Sequence, residues 1–184
     1  MKEKLLIFKD NKINLQNTIN LLLLIMIFSA IFGFIYETIF YKIDLGYFVK
    51  RGSSFGPWIP IYGFGGLLIT VFTYRLKKKP YFVFIINCIV TGILEYLTGY
   101  VLFHLFNTRL WDYNTEIWNF GNINGYVCLR SVMFFGISSL FLIYIMIPTL
   151  IKLTHLIKEK SFTLISYSLT LLYIIDLIIY NILR

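Results

Sequence analysis

Apolar residues in this chain do not alternate with polar ones at short period but gather into five long runs, at about 18–41, 58–74, 81–106, 127–150 and 162–182. A helix that crosses the roughly 30 Å hydrocarbon core of a bilayer needs about 20 such residues, because hydrocarbon offers no partner to an exposed N–H or C=O. The pattern therefore predicts an all-α fold, a polytopic membrane helix bundle with five transmembrane helices. Lysine and arginine collect in alternate connections. Lys2, Lys4, Lys9 and Lys12 precede the first run; Arg75, Lys77, Lys78 and Lys79 lie between the second and third; Lys152, Lys158 and Lys160 lie between the fourth and fifth. The remaining six, Lys42, Lys50, Arg51, Arg109, Arg130 and Arg184, fall on the other side. Cytoplasmic loops hold the basic excess, which places the N-terminus inside and the C-terminus outside.

Composition agrees with this picture. The chain is 58% hydrophobic and only 14% charged, with mean hydropathy +0.75, against about 25% charged in soluble domains. A soluble single-domain enzyme is excluded. The net charge of +8 would suggest nucleic acid in a soluble protein, but here the basic residues sit between apolar runs and act as topology signals. The first run is too long for a signal peptide and no A-x-A site follows it, so it reads as an uncleaved span. The chain then divides into a basic cytoplasmic segment (1–17), a four-span core (18–150), and an inner loop with a fifth helix (151–184).

Function is expected where topology alone does not explain the residues. The two outer loops, 42–57 and 107–126, are longer and chemically more mixed than the short basic inner ones. Ionisable groups inside spans cost about 2.5–3.5 kcal/mol each and normally face a partner or a wet cavity. Glu37, Glu95 and Asp176 fall in spans, and Arg51 and Arg130 stand at the outer starts of the second and fourth. With Trp111, Asp112 and Asn124 of the second outer loop, Glu37, Arg51, Glu95 and Arg130 form the expected polar site. The alternative is that the Glu/Arg pairs simply hold helices together. Asp176 has Tyr173 and Tyr180 on its helical face, so local hydroxyl pairing is expected for it. Trp58, Trp111, Trp118, Tyr100 and Tyr113 are expected mainly in the outer aromatic belt, with Trp111 and Trp118 the candidates for stacking on a ligand.

Several motifs are absent. Cys88 and Cys128 should lie beyond disulfide reach and read as structural. His104 and His155 are isolated, so neither a metal site nor any cofactor is expected. Gly63-Phe64-Gly65-Gly66 is no phosphate loop, because G-x-x-x-x-G-K-[ST] occurs nowhere; close helix packing explains it. An internal match aligns Gly46-Tyr47-x-x-x-Arg51-x-x-x-Phe55-Gly56 with Gly125-Tyr126-x-x-x-Arg130-x-x-x-Phe134-Phe135-Gly136, with one inserted residue. Gly33 precedes Glu37 much as Gly92 precedes Glu95. The match predicts two parallel halves, spans one and two against spans three and four, with the Glu/Arg residues around one axis.

At these same residues the chain resembles the bacterial family of putative ABC-transporter type IV, or CmpB-like, membrane proteins. The resemblance is carried by Gly33-Phe34-Ile35-Tyr36-Glu37, Arg51-Gly52, Gly56-Pro57-Trp58-Ile59-Pro60-Ile61-Tyr62-Gly63-Phe64-Gly65, Leu94-Glu95-Tyr96, Trp111-Asp112-Tyr113 and Asn124-Gly125-Tyr126-Val127-Cys128-Leu129-Arg130. It spans about 31–148, and the fifth run lies beyond it. It implies a multi-pass plasma-membrane protein of permease type. No EAA-type coupling loop is present and the inner loops are short, so an ATPase would be a separate chain. By size and layout alone the chain is also similar to the substrate-capturing subunits of energy-coupling-factor transporters, which have six spans.

Three functions follow from this reading. One is a permease or solute-capture subunit for a small polar or anionic solute, with membrane lipids and a separate ATPase subunit as partners and no nucleic acid. The second is an intramembrane enzyme acting on a lipid-linked headgroup at the outer leaflet, with Glu95 or Asp112 as general base. The third is a non-catalytic membrane partner or sensor.

Overall fold

A computed structural model describes residues 7–11 and 13–183; Lys2, Lys4, Lys12 and Arg184 of the charge pattern lie outside the described residues. Among the described residues six α-helices follow one another: α1 Leu15–Leu45, α2 Pro60–Thr73, α3 Pro80–Phe106, α4 Leu129–Phe141, α5 Ile147–Leu156 and α6 Glu159–Leu183. A π turn, Leu142–Met146, runs α4 into α5, and a 3-10 turn, Tyr74–Leu76, ends α2. Among the described residues there is no strand, only an isolated bridge between Ile123 and Val127.

Among the described residues four helical stretches, α1, α3, α4 with α5, and α6, are long and apolar enough to cross a membrane by length and composition. The second predicted span differs. α2 has 14 residues, about 21 Å at ~1.5 Å per residue. Its shortness has a local cause. The Ile59 amide donates to the Ala30 carbonyl at 3.1 Å, so the chain enters α2 half-way along α1 rather than level with its end. The connection 46–59 therefore folds back along the second half of α1 before α2 begins. Trp58, expected in an aromatic belt, is buried there beside Ala30 and Tyr173; Tyr113 is buried too, in the loop after α3.

The chain forms two compact units: residues through Leu67 together with those from Ile143 onward, and Leu68–Leu142. In the first, α6 packs on α1. Polar side chains fasten them near their starts: Asn20 donates to Thr163 at 2.8 Å and Asn14 to Glu159 at 3.2 Å. Such bonds suit helix pairs in lipid, where the hydrophobic effect drives no association. The start of α2 presses on α1 through glycine. A Cβ at Gly63 would stand 2.9 Å from the Met26 carbonyl oxygen, which is the packing role expected for this glycine run.

In the second unit α3 packs on α4, and Gly136 lies against Cys88 and Phe84. The buried residues of α3 are Val83, Asn87, Thr91 and Glu95, one face at four-residue spacing. The opposite side exposes Ile85, Ile89, Ile93 and Leu97. This helix is thus apolar on its exposed side and mostly polar on its buried one.

Replacing Gly63 with leucine should destabilise the purified protein by about 1–3 kcal/mol, the usual cost of overpacking. A thermal or denaturant midpoint indistinguishable from wild type would show that α1 and α2 are not in backbone contact here.

Candidate functional site

The first unit places an acid, a base and a loop at the depth of its helices. Gly46 ends α1 in the left-handed conformation, with φ 82°, and turns the chain back so that Arg51 reaches Glu37. The Arg51 Nε donates to Glu37 Oε2 at 2.8 Å, and the guanidinium lies 3.7 Å from the centre of the Tyr41 ring. Both partners are mostly buried. Further along, Ser54 is fully buried, its hydroxyl 2.9 Å from the Trp58 carbonyl oxygen and 3.0 Å from that of Gly56.

Asp176 of α6 completes this loop. It accepts from the Phe55 amide at 3.2 Å, the Gly56 amide at 3.1 Å and the Trp58 indole at 2.7 Å. This corrects the expectation of pairing with tyrosine hydroxyls. Tyr173 instead packs edge-on against Trp58 and Tyr180 edge-on against Phe55, and the Tyr173 hydroxyl has no hydrogen-bond partner among the described residues. Two backbone amides and an indole take the places on the carboxylate that the phenols were expected to fill.

The second unit holds Glu95 and Arg130, but not as a pair. Arg130 binds Glu116, a residue of the loop after α3, and lies 5.4 Å from the Tyr113 ring centre. Glu95, near the middle of α3, takes the Tyr113 hydroxyl on Oε1 and the Ser131 hydroxyl on Oε2, the latter at 2.7 Å. Ser131 stands at the third position of α4, where its oxygen also accepts from the Cys128 amide at 3.3 Å and lies 2.8 Å from the Cys128 carbonyl. The expected pairing of glutamates in spans with arginines therefore occurs for Glu37 with Arg51, while Glu95 is held by hydroxyls.

The other expected site residues shape the second loop. Trp111 donates its indole proton to the Tyr126 carbonyl at 2.9 Å. Asp112 pairs with Arg109 at 3.0 Å and accepts from the Asn114 amide. Asn124 and Gly125 have φ of 55° and 77° and sit at the centre of a turn closed by the Tyr126 amide on the Ile123 carbonyl at 3.0 Å. Positive φ at both central residues is what a type I′ turn requires, and Asn-Gly is its commonest sequence. Asn124 is thus a turn former. Cys88 and Cys128 are free thiols.

Glu116 was legible but missed. Glu37 and Arg51 are 14 residues apart, as are Glu116 and Arg130. The offset relating the two pairs is the one relating Gly46 to Gly125 and Phe55 to Phe134, with no insertion needed. Gly46 and Gly125 share a positive φ. The elements bearing the acids differ, however: Glu37 is in α1, whereas Glu116 follows α3 in a loop.

Among the described residues no group of His, Cys, Asp and Glu could hold a metal ion. The chain matches the family described as putative ABC-transporter type IV over residues 8–180. The match extends through most of α6, correcting the expectation that the fifth apolar run lies outside the family. No curated protein and no solved structure matches the chain.

Two outcomes follow. Glu116→Gln leaves a mostly buried guanidinium without its carboxylate and should cost about 3–5 kcal/mol, with much of the loss recovered in the double variant Glu116→Leu, Arg130→Met; unfolding midpoints of the three proteins measure both. Asp176→Asn removes the charge from three donors and should cost about 1.5–3 kcal/mol, with faster proteolysis at 46–59; unchanged cleavage would contradict the anchoring role.

Proposed function

The chain belongs to the putative ABC-transporter type IV family, and from that premise we propose that it is the membrane-embedded permease or solute-capture subunit of a transporter whose ATPase is a separate chain. The coarse part is already established: it is a membrane protein of a transporter-associated family. The finer reading is a multi-pass protein of the cell membrane with five crossings, N-terminus inside and C-terminus outside. The second crossing is then composite, with α2 covering about two thirds of the ~30 Å core and the 46–59 connection, in which Ser54, Trp58 and Ile59 are buried, the rest. Irregular backbone at membrane depth is tolerated where protein covers it or a cavity wets it, and broken spans of this kind recur at transporter binding sites.

The observation that carries the proposal is the repeated arginine. Arg51 and Arg130 are each held by a glutamate 14 residues earlier and set against a tyrosine ring. Placing such a cation among membrane helices is costly, and a charge kept there twice in one pattern favours use over accident. A planar, always-charged guanidinium suits a carboxylate or phosphate, so the solute is a small polar or anionic compound. Trp111, Asp112 and Asn124 serve the loop that frames Arg130 rather than touching solute themselves. One observation favours a second reading, that of a non-catalytic membrane partner: each arginine already has a carboxylate, which suffices for a structural staple.

Gentle purification from native membranes, with mass spectrometry of everything retained in stoichiometric amount, decides between them. The expected result is an ATPase chain or a polar solute; bulk phospholipid alone overturns the transport reading. Given a solute, Arg51→Lys keeps the charge but loses the planar fork and its ring contact, and should weaken binding about tenfold, or ~1.4 kcal/mol.

A further inference from the structure

The buried face of α3 contains more polar chemistry than packing requires. Asn87, Thr91 and Glu95 follow one another at four-residue spacing and are all at most 5% exposed. Each step is about 6 Å along the helix and the whole row about 12 Å. At its lower end the Asn87 amide nitrogen donates to Thr73 Oγ1 at 3.0 Å, and Thr73 directly precedes the Tyr74–Leu76 turn and the lysines after it. At its upper end Glu95 meets Tyr113 and Ser131. All of these lie within Leu68–Leu142.

A purely structural row would close its own hydrogen bonds. The threonines do so: Thr91 donates to the Asn87 carbonyl and Thr73 to the Ile69 carbonyl, both at 2.6 Å. Asn87 does not. Its side-chain Oδ1 is fully buried and has no hydrogen-bond partner among the described residues, and an amide oxygen stranded without a partner costs about 1–3 kcal/mol. Water is the general remedy for such a group, where the site is polar on several sides.

The upper end is equally specific. Ser131 Oγ has one proton and two acceptors in reach, Glu95 Oε2 at 2.7 Å and the Cys128 carbonyl at 2.8 Å. With Glu95 ionised, Ser131 donates to it. With Glu95 protonated, the carboxyl donates to Ser131 Oγ, and Ser131 turns its proton to Cys128. The same heavy atoms satisfy both protonation states without moving. The groups facing Glu95 are the Tyr113 hydroxyl of the loop and Ser131 of α4, with the Arg130–Glu116 pair beyond Tyr113.

We propose that this row is a hydrated proton path, in which water bound to Asn87 Oδ1 and Thr91 links Glu95 to the Thr73 end of the unit. A proton arriving on the Glu95 carboxylate converts it to the carboxylic acid; its release to water along the row restores the carboxylate, and nothing else is oxidised, reduced or broken. Asn87 is a positioning residue that orients water, and Glu95 is the group that carries the proton. The path deepens the transport reading by supplying a coupling ion, but its test needs neither solute nor ATPase, so the two can fail separately.

The measurement is infrared spectroscopy of the full-length protein in phosphatidylcholine vesicles, following the protonated-carboxyl C=O band that Glu95→Gln removes. In wild type this band should titrate with pH and shift promptly on transfer to D2O. In Asn87→Leu it should persist but exchange at least about tenfold more slowly, ~1.4 kcal/mol on the barrier. Thr91→Val, a milder change, should slow it in the same direction if the leucine variant fails to fold. A band that never exchanges, or no Glu95-dependent band at any pH, overturns the proposal, as does exchange equally fast in both variants, which would mean that protons reach Glu95 by another route.

Discussion

A backbone amide that leaves a helix among apolar neighbours has to find an acceptor there, and in this protein that requirement is met by Asp176. Its carboxylate collects the Phe55 and Gly56 amides and the Trp58 indole, which lets the chain run irregularly beside α1 and start α2 only at Ala30. Without that acceptor the Phe55 and Gly56 amides would lose their carboxylate and the connection its anchor to α6. Arg51 would then lose its approach to Glu37, since the same connection delivers it. One acid on the last helix thus underlies the shape of the segment that carries the proposed anion-binding arginine.

The two units solve the problem of interior polarity differently. In the first, charge meets charge and amide meets carboxylate, so the polar groups are consumed in fixing the loop. In the second, Glu95 is held by two hydroxyls and the arginine is diverted to Glu116. Hydroxyls can reverse the sense of their hydrogen bonds, whereas an arginine can only donate. An acid held by hydroxyls therefore keeps its hydrogen bonds in either protonation state. The same sequence pattern, Glu and Arg 14 residues apart, serves both units, yet only the second leaves a spare carboxylate at the core.

Much of the fold was legible because lipid imposes a simple rule. Long apolar runs became α1, α3, the α4–α5 stretch and α6, with ends within four residues except that α5 runs six residues further, to Leu156, since backbone bonding inside such a run has one solution. The Gly63 packing contact and the Glu37–Arg51 pair could be read in the same way. What escaped was set by distant partners. Ser54, Ser53 and the glycines around them look like a solvent loop, and only Asp176, some 120 residues on, makes burial affordable there. Local spacing pointed Asp176 at Tyr173 and Tyr180 because helical periodicity sees one helix at a time. Glu116 lies outside the apolar runs, where an acid is ordinary, and only the constant offset between Gly46 and Gly125 points to it. Asn124 was legible in the other sense: Asn-Gly before a bridge is a turn signature before it is a ligand.

The division of the chain also bears on how it is made. Leu68–Leu142 is continuous, so Tyr113, Ser131 and Glu116, which hold Glu95 and Arg130, have all been synthesised by the time α4 is complete. The first unit is split, and the acceptor for its loop lies in α6, some 120 residues later. Throughout translation of everything between, the Phe55 and Gly56 amides have no Asp176 to bind. Until α6 has been made that loop lacks its carboxylate, and it can take up its place beside α1 only afterwards.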